Sequence, residues 1–164
     1  MEAILEELTA IIAREIEAFD KLLKTLHDKQ RAIVEGEIDR LNSSVEKEGE
    51  LASETKALEV ERIDRSRRLA KELSMENLNP KLSEIIERVE KKYAQRLRGQ
   101  RDLLKSLIGK VQILNQNNQF LLNYSLNYIE KSMEILLTGN KQANIYRKDG
   151  KVEKKIRKVF DQCI

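Results

Sequence analysis

The sequence predicts an all-α protein, an elongated antiparallel helical bundle or coiled coil of three long helices followed by a flexible C-terminal tail. Composition supports this prediction, because charged residues make up 36% and aromatic residues 4% of the 164 residues, with six Gly, one Pro and no Trp. Long helical proteins have such a composition, whereas a β domain needs more aromatic and turn residues. Apolar residues also recur at helical spacing over three long segments.

The first two segments predict helices over about residues 2–35 and 37–74. In the first segment, apolar residues return every three or four positions from Leu5 to Ile33. Gly36 is expected to end this helix, because glycine adopts the left-handed conformation of a helix C-terminus without strain. The apolar stripe of the second segment is thinner and more polar, so this helix is expected to gain less from burial.

The third segment predicts a helix over about residues 80–137. Asn79 is expected to cap it and Pro80 to occupy its first position. At about 1.5 Å per residue it is roughly 85 Å long, against roughly 50 Å for each of the others. We therefore expect its last 20 or so residues to extend beyond the helices on which it packs. The alternative arrangement bends this helix at Gly99 or Gly109 and folds a fourth helix back into a compact bundle.

The expected domain organisation is a helical bundle over residues 1–137 and a mobile basic tail over 138–164. Residues 1–109 carry 21 basic and 23 acidic side chains, whereas residues 110–164 carry 10 and 5. The tail mixes these basic side chains with apolar ones, so one alternative function is binding to nucleic acid or to an anionic membrane surface. We do not expect nucleic-acid binding to be the main function, because no DNA-binding motif is recognisable.

An uncharged stretch of nineteen residues lies between Lys110 and Glu130. Eight of its residues have side-chain amides: Gln112, Asn115, Gln116, Asn117, Asn118, Gln119, Asn123 and Asn127. Amides donate and accept hydrogen bonds without charge, and they cost less to desolvate than Lys or Glu. The stretch is therefore suited to a protein interface, and the alternative is that it is ordinary bundle core with amides at its edge.

The sequence predicts neither an enzyme nor a metal or cofactor site. Cys163 and His27 are the only residues of their types, which excludes a disulfide framework and an ordinary His/Cys metal site. No catalytic constellation or phosphate-binding Gly loop is recognisable. The uncharged stretch could span a bilayer by length, but eight amides in hydrocarbon make stable insertion costly. With an acidic N-terminus that does not resemble a signal peptide, we expect a soluble cytoplasmic protein.

Two sequence motifs resemble the FlgN family, flagellar export chaperones for the hook-associated proteins of the hook–filament junction. "LNQNNQFLL" resembles the family's Leu-Asn-x-x-Asn-x-x-Leu-Leu motif at Leu114, Asn115, Asn118, Leu121 and Leu122. "IYRKDGK" is similar to the family's Tyr-x-x-x-Gly tail motif at Tyr146 and Gly150, although it is more basic than the usual small-residue turn and the tail continues beyond it. "GEIDRLNSSVEKEGEL", followed by Arg62, resembles the family's second helix.

The resemblance implies a cytoplasmic chaperone that binds C-terminal helical segments of hook-associated proteins, prevents their premature assembly and delivers them to the flagellar type III export gate. It places substrate binding on the helix at residues 114–137 and gate docking at Tyr146 and Gly150. The predicted binding residues are the motif residues and the apolar residues that continue them at helical spacing: Asn115, Asn118, Leu121, Leu122, Leu126, Ile129, Met133 and Leu136. We expect a monomer or weak dimer when no substrate is bound. The alternative is a structural coiled-coil protein that homodimerises through the helix at residues 111–137.

Overall fold

The computed structural model of the chain describes residues 1–138. This part of the chain is all-α and has no strand, which confirms the predicted fold class. Its helices are α1 (Glu2–Glu35), α2 (Ile38–Glu72), α3 (Leu82–Ile86) and α4 (Lys91–Thr138). The chain divides into two compact units, Met1–Gln119 and a second that begins at Phe120. The basic tail from residue 139 onward, including Tyr146 and Gly150, lies outside the described residues.

The turn between α1 and α2 is centred on Gly36, as predicted. Gly36 has a φ of 71°, and its N–H donates to the carbonyl of Ala32. This left-handed conformation carries little penalty for glycine alone, which is why the turn can be so short. The two helices are antiparallel, because Arg65 near the end of α2 contacts Glu7 near the start of α1.

The segment after α2 differs from the expected continuous helix that starts at Asn79 and Pro80. Lys81 is the N-cap of α3, which ends at Ile86, and α4 starts only at Lys91. Asn79 does not cap a helix, because its side-chain oxygen accepts a hydrogen bond of 2.6 Å from Arg67 Nε on α2. The expected helix is thus divided by a turn near its beginning.

The helix α4 runs without interruption through Gly99 and Gly109. The alternative arrangement, with a break at one of these residues, is therefore not the arrangement adopted by residues 91–138. Within the first unit α4 runs parallel to α1, since Arg96 contacts Glu6 and Gln100 contacts Thr9 further along both helices.

The core of the Met1–Gln119 unit consists of two apolar clusters. The larger is formed by Leu5, Leu8, Ile12, Leu69, Ile85, Ile86, Tyr93, Leu97 and Leu104. The smaller is formed by Leu22, Leu26, Leu51 and Leu114. Each cluster draws on α1, α2 and α4, so the apolar stripes of the three long helices are buried against one another. A fully buried Leu or Ile contributes roughly 1.5–3 kcal/mol, so these stripes are the main source of stability.

Candidate partner-binding site

The described part of the second unit is a helix that keeps large apolar side chains exposed. Nine such residues are between 53% and 79% exposed: Phe120, Tyr124, Leu126, Tyr128, Ile129, Met133, Ile135, Leu136 and Leu137. Single exposed apolar residues are normal on any protein surface, but a contiguous group of them marks an interaction surface. No residue from Phe120 to Thr138 is buried.

The apolar side chains of this helix follow a regular spacing. Five aliphatic residues alternate steps of four and three, and we name them the aliphatic stripe: Leu122, Leu126, Ile129, Met133 and Leu136. This is the spacing of a coiled-coil seam, in which each side chain inserts between four residues of a facing helix. Phe120, Tyr124 and Tyr128 are four residues apart and form a second row, which at 100° per residue lies on roughly the opposite side of the helix.

The side of the helix between these two rows is polar. Asn123, Asn127, Glu130 and Glu134 also alternate steps of four and three, and all four are exposed. Glu130, Lys131 and Glu134 are the only charged residues from 111 to 138, and none of them belongs to the aliphatic stripe. A partner that packs on the aliphatic stripe would therefore not have to desolvate a charged side chain there, and this lowers the cost of forming an interface.

The residues predicted to bind substrate occupy three different environments. Asn115, Leu126, Ile129, Met133 and Leu136 are exposed, whereas Leu121 and Leu122 are half-buried. Asn118 is fully buried, with an exposed fraction of 0%. Its Nδ2 donates a hydrogen bond of 2.8 Å to the carbonyl of Leu26, so its side chain is engaged inside the bundle and is not presented to a partner.

Sequence reasoning left several exposed apolar residues out of the predicted set. Ile135 and Leu137 are 67% and 64% exposed, and the three aromatic residues of the second row are exposed as well. The signal that could have found them is the width of the apolar arc. Viewed down the helix axis, with 100° between successive residues, the exposed apolar side chains from Tyr124 to Leu137 occupy an arc bounded by these two residues. This arc covers more than half of the helix circumference, which is typical of a helix that is covered by other protein.

A buried ion pair lies in the first unit, away from the predicted site residues. Glu15 is 2% exposed, and Arg62 Nε donates a hydrogen bond of 3.0 Å to Glu15 Oε1. Burial raises the pKa of Glu15, and the neighbouring Arg62 lowers it by a smaller amount. A cavity of about 340 Å³ borders the pair, with Phe19 and Leu104 in its wall. Loss of either partner would leave the other charge buried and unpaired, so we assign this ion pair a structural role.

Residues 1–138 contain no cluster of potential metal ligands and no helix suited to span a membrane. Within this range no three His, Cys, Asp or Glu side chains come close enough to hold a metal ion. None of the described helices combines the length and the apolar character needed to cross a membrane.

Comparison with protein families gives a match to the FlgN protein family over residues 1–154. Comparison with curated proteins and with solved structures gives no match. The matched range includes the amide-rich motif from Leu114 to Leu122 and the whole aliphatic stripe. The chain belongs to the FlgN family, the flagellar export chaperones.

Proposed function

We propose that this protein is a cytoplasmic chaperone that binds the C-terminal helical segments of hook-associated proteins, keeps them from assembling prematurely and delivers them to the flagellar type III export gate. The observation that supports substrate binding most strongly is the exposed, uncharged apolar surface on residues 120–137. Membership of a chaperone family makes another protein the expected occupant of that surface.

The aliphatic stripe suits an amphipathic helix. Leu122 and Leu136 are 136 − 122 = 14 steps apart, so the stripe is roughly 21 Å long at about 1.5 Å per residue. A substrate helix of about four turns would cover it, with apolar residues of its own at the same alternating spacing. The aromatic row on the other side of the helix offers a further contact area at low conformational cost, as aromatic residues do in many interfaces.

Binding of this kind explains how a substrate is held without an energy source. The apolar face that a hook-associated protein would use for assembly is covered by the chaperone, and it is released when the complex dissociates. Docking to the export gate is assigned to Tyr146 and Gly150 through the family motif alone. This part of the proposal rests on the sequence resemblance.

Calorimetry with a purified hook-associated protein tests the proposal. The double substitution Leu126→Ser/Met133→Ser, in the full-length chain, removes two central residues of the aliphatic stripe. We expect it to weaken binding at least tenfold, because each buried apolar side chain contributes more than about 1 kcal/mol. Asn127→Ser lies on the polar side of the same helix and is the matched control, with affinity unchanged. Equal affinities for all three proteins would contradict the proposal.

A second copy of the chain is the other occupant that coiled-coil spacing allows, and it corresponds to a purely structural protein that homodimerises. Light scattering separates the two functions. A complex of one chaperone with one hook-associated protein supports the chaperone. A stable dimer that persists unchanged when the hook-associated protein is added supports the structural coiled coil.

A further inference from the structure

Two amide side chains of α4 donate hydrogen bonds to backbone carbonyls of α1. Gln100 Nε2 lies 2.9 Å from the carbonyl oxygen of Thr9, and Asn118 Nδ2 lies 2.8 Å from that of Leu26. The donors are 118 − 100 = 18 residues apart and the acceptors 26 − 9 = 17 residues apart. Two parallel helices are thus joined at two points about five turns apart.

These two amides lie on the seam by which α4 packs in the first unit, and the buried Tyr93 and Leu97 precede them on it. The seam residues alternate steps of four and three: Gln100, Leu104, Leu107, Val111, Leu114 and Asn118. The four residues between the amides are aliphatic, and a purely aliphatic seam could pack almost equally well after a shift of one heptad. The same shift would move Leu107 and Ser125 to the positions opposite Thr9 and Leu26, and both amide hydrogen bonds would be lost.

The amides are not the most stabilising choice for these positions. Gln100 Oε1 and Asn118 Oδ1 are buried and have no hydrogen-bond partner in the protein. A buried acceptor without a donor costs free energy, and the α1 carbonyls that receive the bonds already accept within their own helix. A buried Asn in a coiled coil is similarly unfavourable for stability, yet it fixes the register and the choice of partner helix.

The register has a direct consequence for the proposed binding surface. Asn118 is the last buried residue in the described chain, and the contiguous group of exposed apolar residues begins two positions later at Phe120. A shift of α4 along α1 by one heptad would change which side chains are buried and which remain exposed. The amide contact at Asn118 therefore lies where burial along α4 ends.

We propose that Gln100 and Asn118 are positioning residues that fix the register of α4 on α1 and so determine which residues of α4 remain exposed for a partner. The inference deepens the proposed function and rests on it for the identity of the partner. The register itself is a property of the free protein, so it can be measured without any partner.

The test uses full-length chains with Gln100→Leu, Asn118→Leu or both, and Asn117→Leu as the control. Leucine has the same branched arrangement of side-chain heavy atoms as asparagine and is one heavy atom shorter than glutamine, and Asn117 is an exposed neighbour outside the seam. Spin labels at Ala13→Cys and Ser106→Cys, both exposed positions, report the distance between α1 and α4 in a Cys163→Ser background. A shift of one heptad moves the labels by about 10 Å along the axis.

We expect a single distance in the parent and in the Asn117→Leu control, and a second population in the double variant. Its melting temperature should equal or exceed that of the parent, and its affinity for a purified hook-associated protein should fall at least fivefold. A structural role alone would lower the melting temperature without a second distance. One unchanged distance in all leucine variants overturns the register proposal. A shifted distance in a protein whose parent binds no hook-associated protein overturns the proposed function and leaves the register role intact.

Discussion

The two parts of α4 on either side of Asn118 carry the same kinds of apolar side chain in opposite environments. Leu104 and Leu114 are 8% and 7% exposed, since they pack in clusters with residues of α1 and α2. Leu126 and Leu136 are 62% and 79% exposed. Spacing and residue type alone do not separate these two sets. The difference shows that an apolar stripe predicts a contact, and only the arrangement of neighbouring helices shows whether the contact is made within the chain.

Substitution of one leucine from each part of α4 should give the largest difference in the free energy of unfolding. Leu97→Ala empties a fully buried position in the larger cluster, and it should lower the free energy of unfolding by roughly 2–5 kcal/mol. Leu126→Ala removes an exposed side chain, and it should change that free energy by less than about 0.5 kcal/mol. Urea unfolding followed by circular dichroism measures both. Similar losses would mean that the surface at Leu126 is covered in the free protein.

Ion pairs provide the next comparison, because one pair is buried and another is exposed. Arg62→Met leaves the carboxylate of Glu15 buried without its partner, at a cost of roughly 3 kcal/mol. Arg68→Met removes an exposed pair with Asp64, and it should cost no more than about 1 kcal/mol. Chemical unfolding at neutral pH compares the two. An Arg62→Met protein as stable as the parent would show that Glu15 is not held in a dry environment.

Substitution by alanine should have opposite effects on the free energy of unfolding at two glycines, Gly36 in the turn between α1 and α2 and Gly49 within α2. Gly36 has a positive φ, so Gly36→Ala should destabilise the protein by about 1 kcal/mol. Gly49 lies inside α2, where an added Cβ meets no atom within 4 Å, so Gly49→Ala should stabilise it by about 0.5–1 kcal/mol. Thermal unfolding of both variants checks the sign. A Gly49→Ala protein less stable than the parent would contradict the helical conformation and open surroundings of Gly49.

The pH dependence that arises from Glu15 should be the smallest effect. Burial raises the pKa of Glu15 in the folded protein above its ordinary value of 4.5. A raised pKa means that the folded state holds this proton more tightly than the unfolded state does. The contribution of Glu15 to stability is therefore fully present below pH 4.5 and is lost as the pH rises through the raised pKa.

The parent and Glu15→Gln, unfolded in urea at several pH values from 4 to 7, isolate this contribution, because every other carboxyl group is common to both proteins. We expect the stability of the parent relative to Glu15→Gln to fall as the pH rises. A rise would show that Arg62 outweighs burial at this site.

The sequence was sufficient to predict α1 and α2, because their apolar stripes and Gly36 are local signals. It was not sufficient to predict the turn between α3 and α4. Ile86 and Tyr93, on either side of this turn, are at helical spacing and both pack in the larger cluster, so the apolar pattern continues through the turn as it would through a helix. The role of Asn118 also depends on tertiary structure. An amide at a seam position has the same sequence signature whether it faces its own bundle or a partner, and the carbonyl of Leu26 is 92 residues away.

Hydrogen exchange with and without a purified hook-associated protein tests the central claim most directly, because it reports both units in one experiment. Opening of an unpacked helix allows its amides to exchange quickly, and a bound partner suppresses that opening. We expect residues 120–138 to exchange more slowly in the complex, while α1 and α2 exchange at unchanged rates. Slower exchange confined to α1 and α2, with residues 120–138 unaffected, would contradict the assignment of substrate binding to the aliphatic stripe.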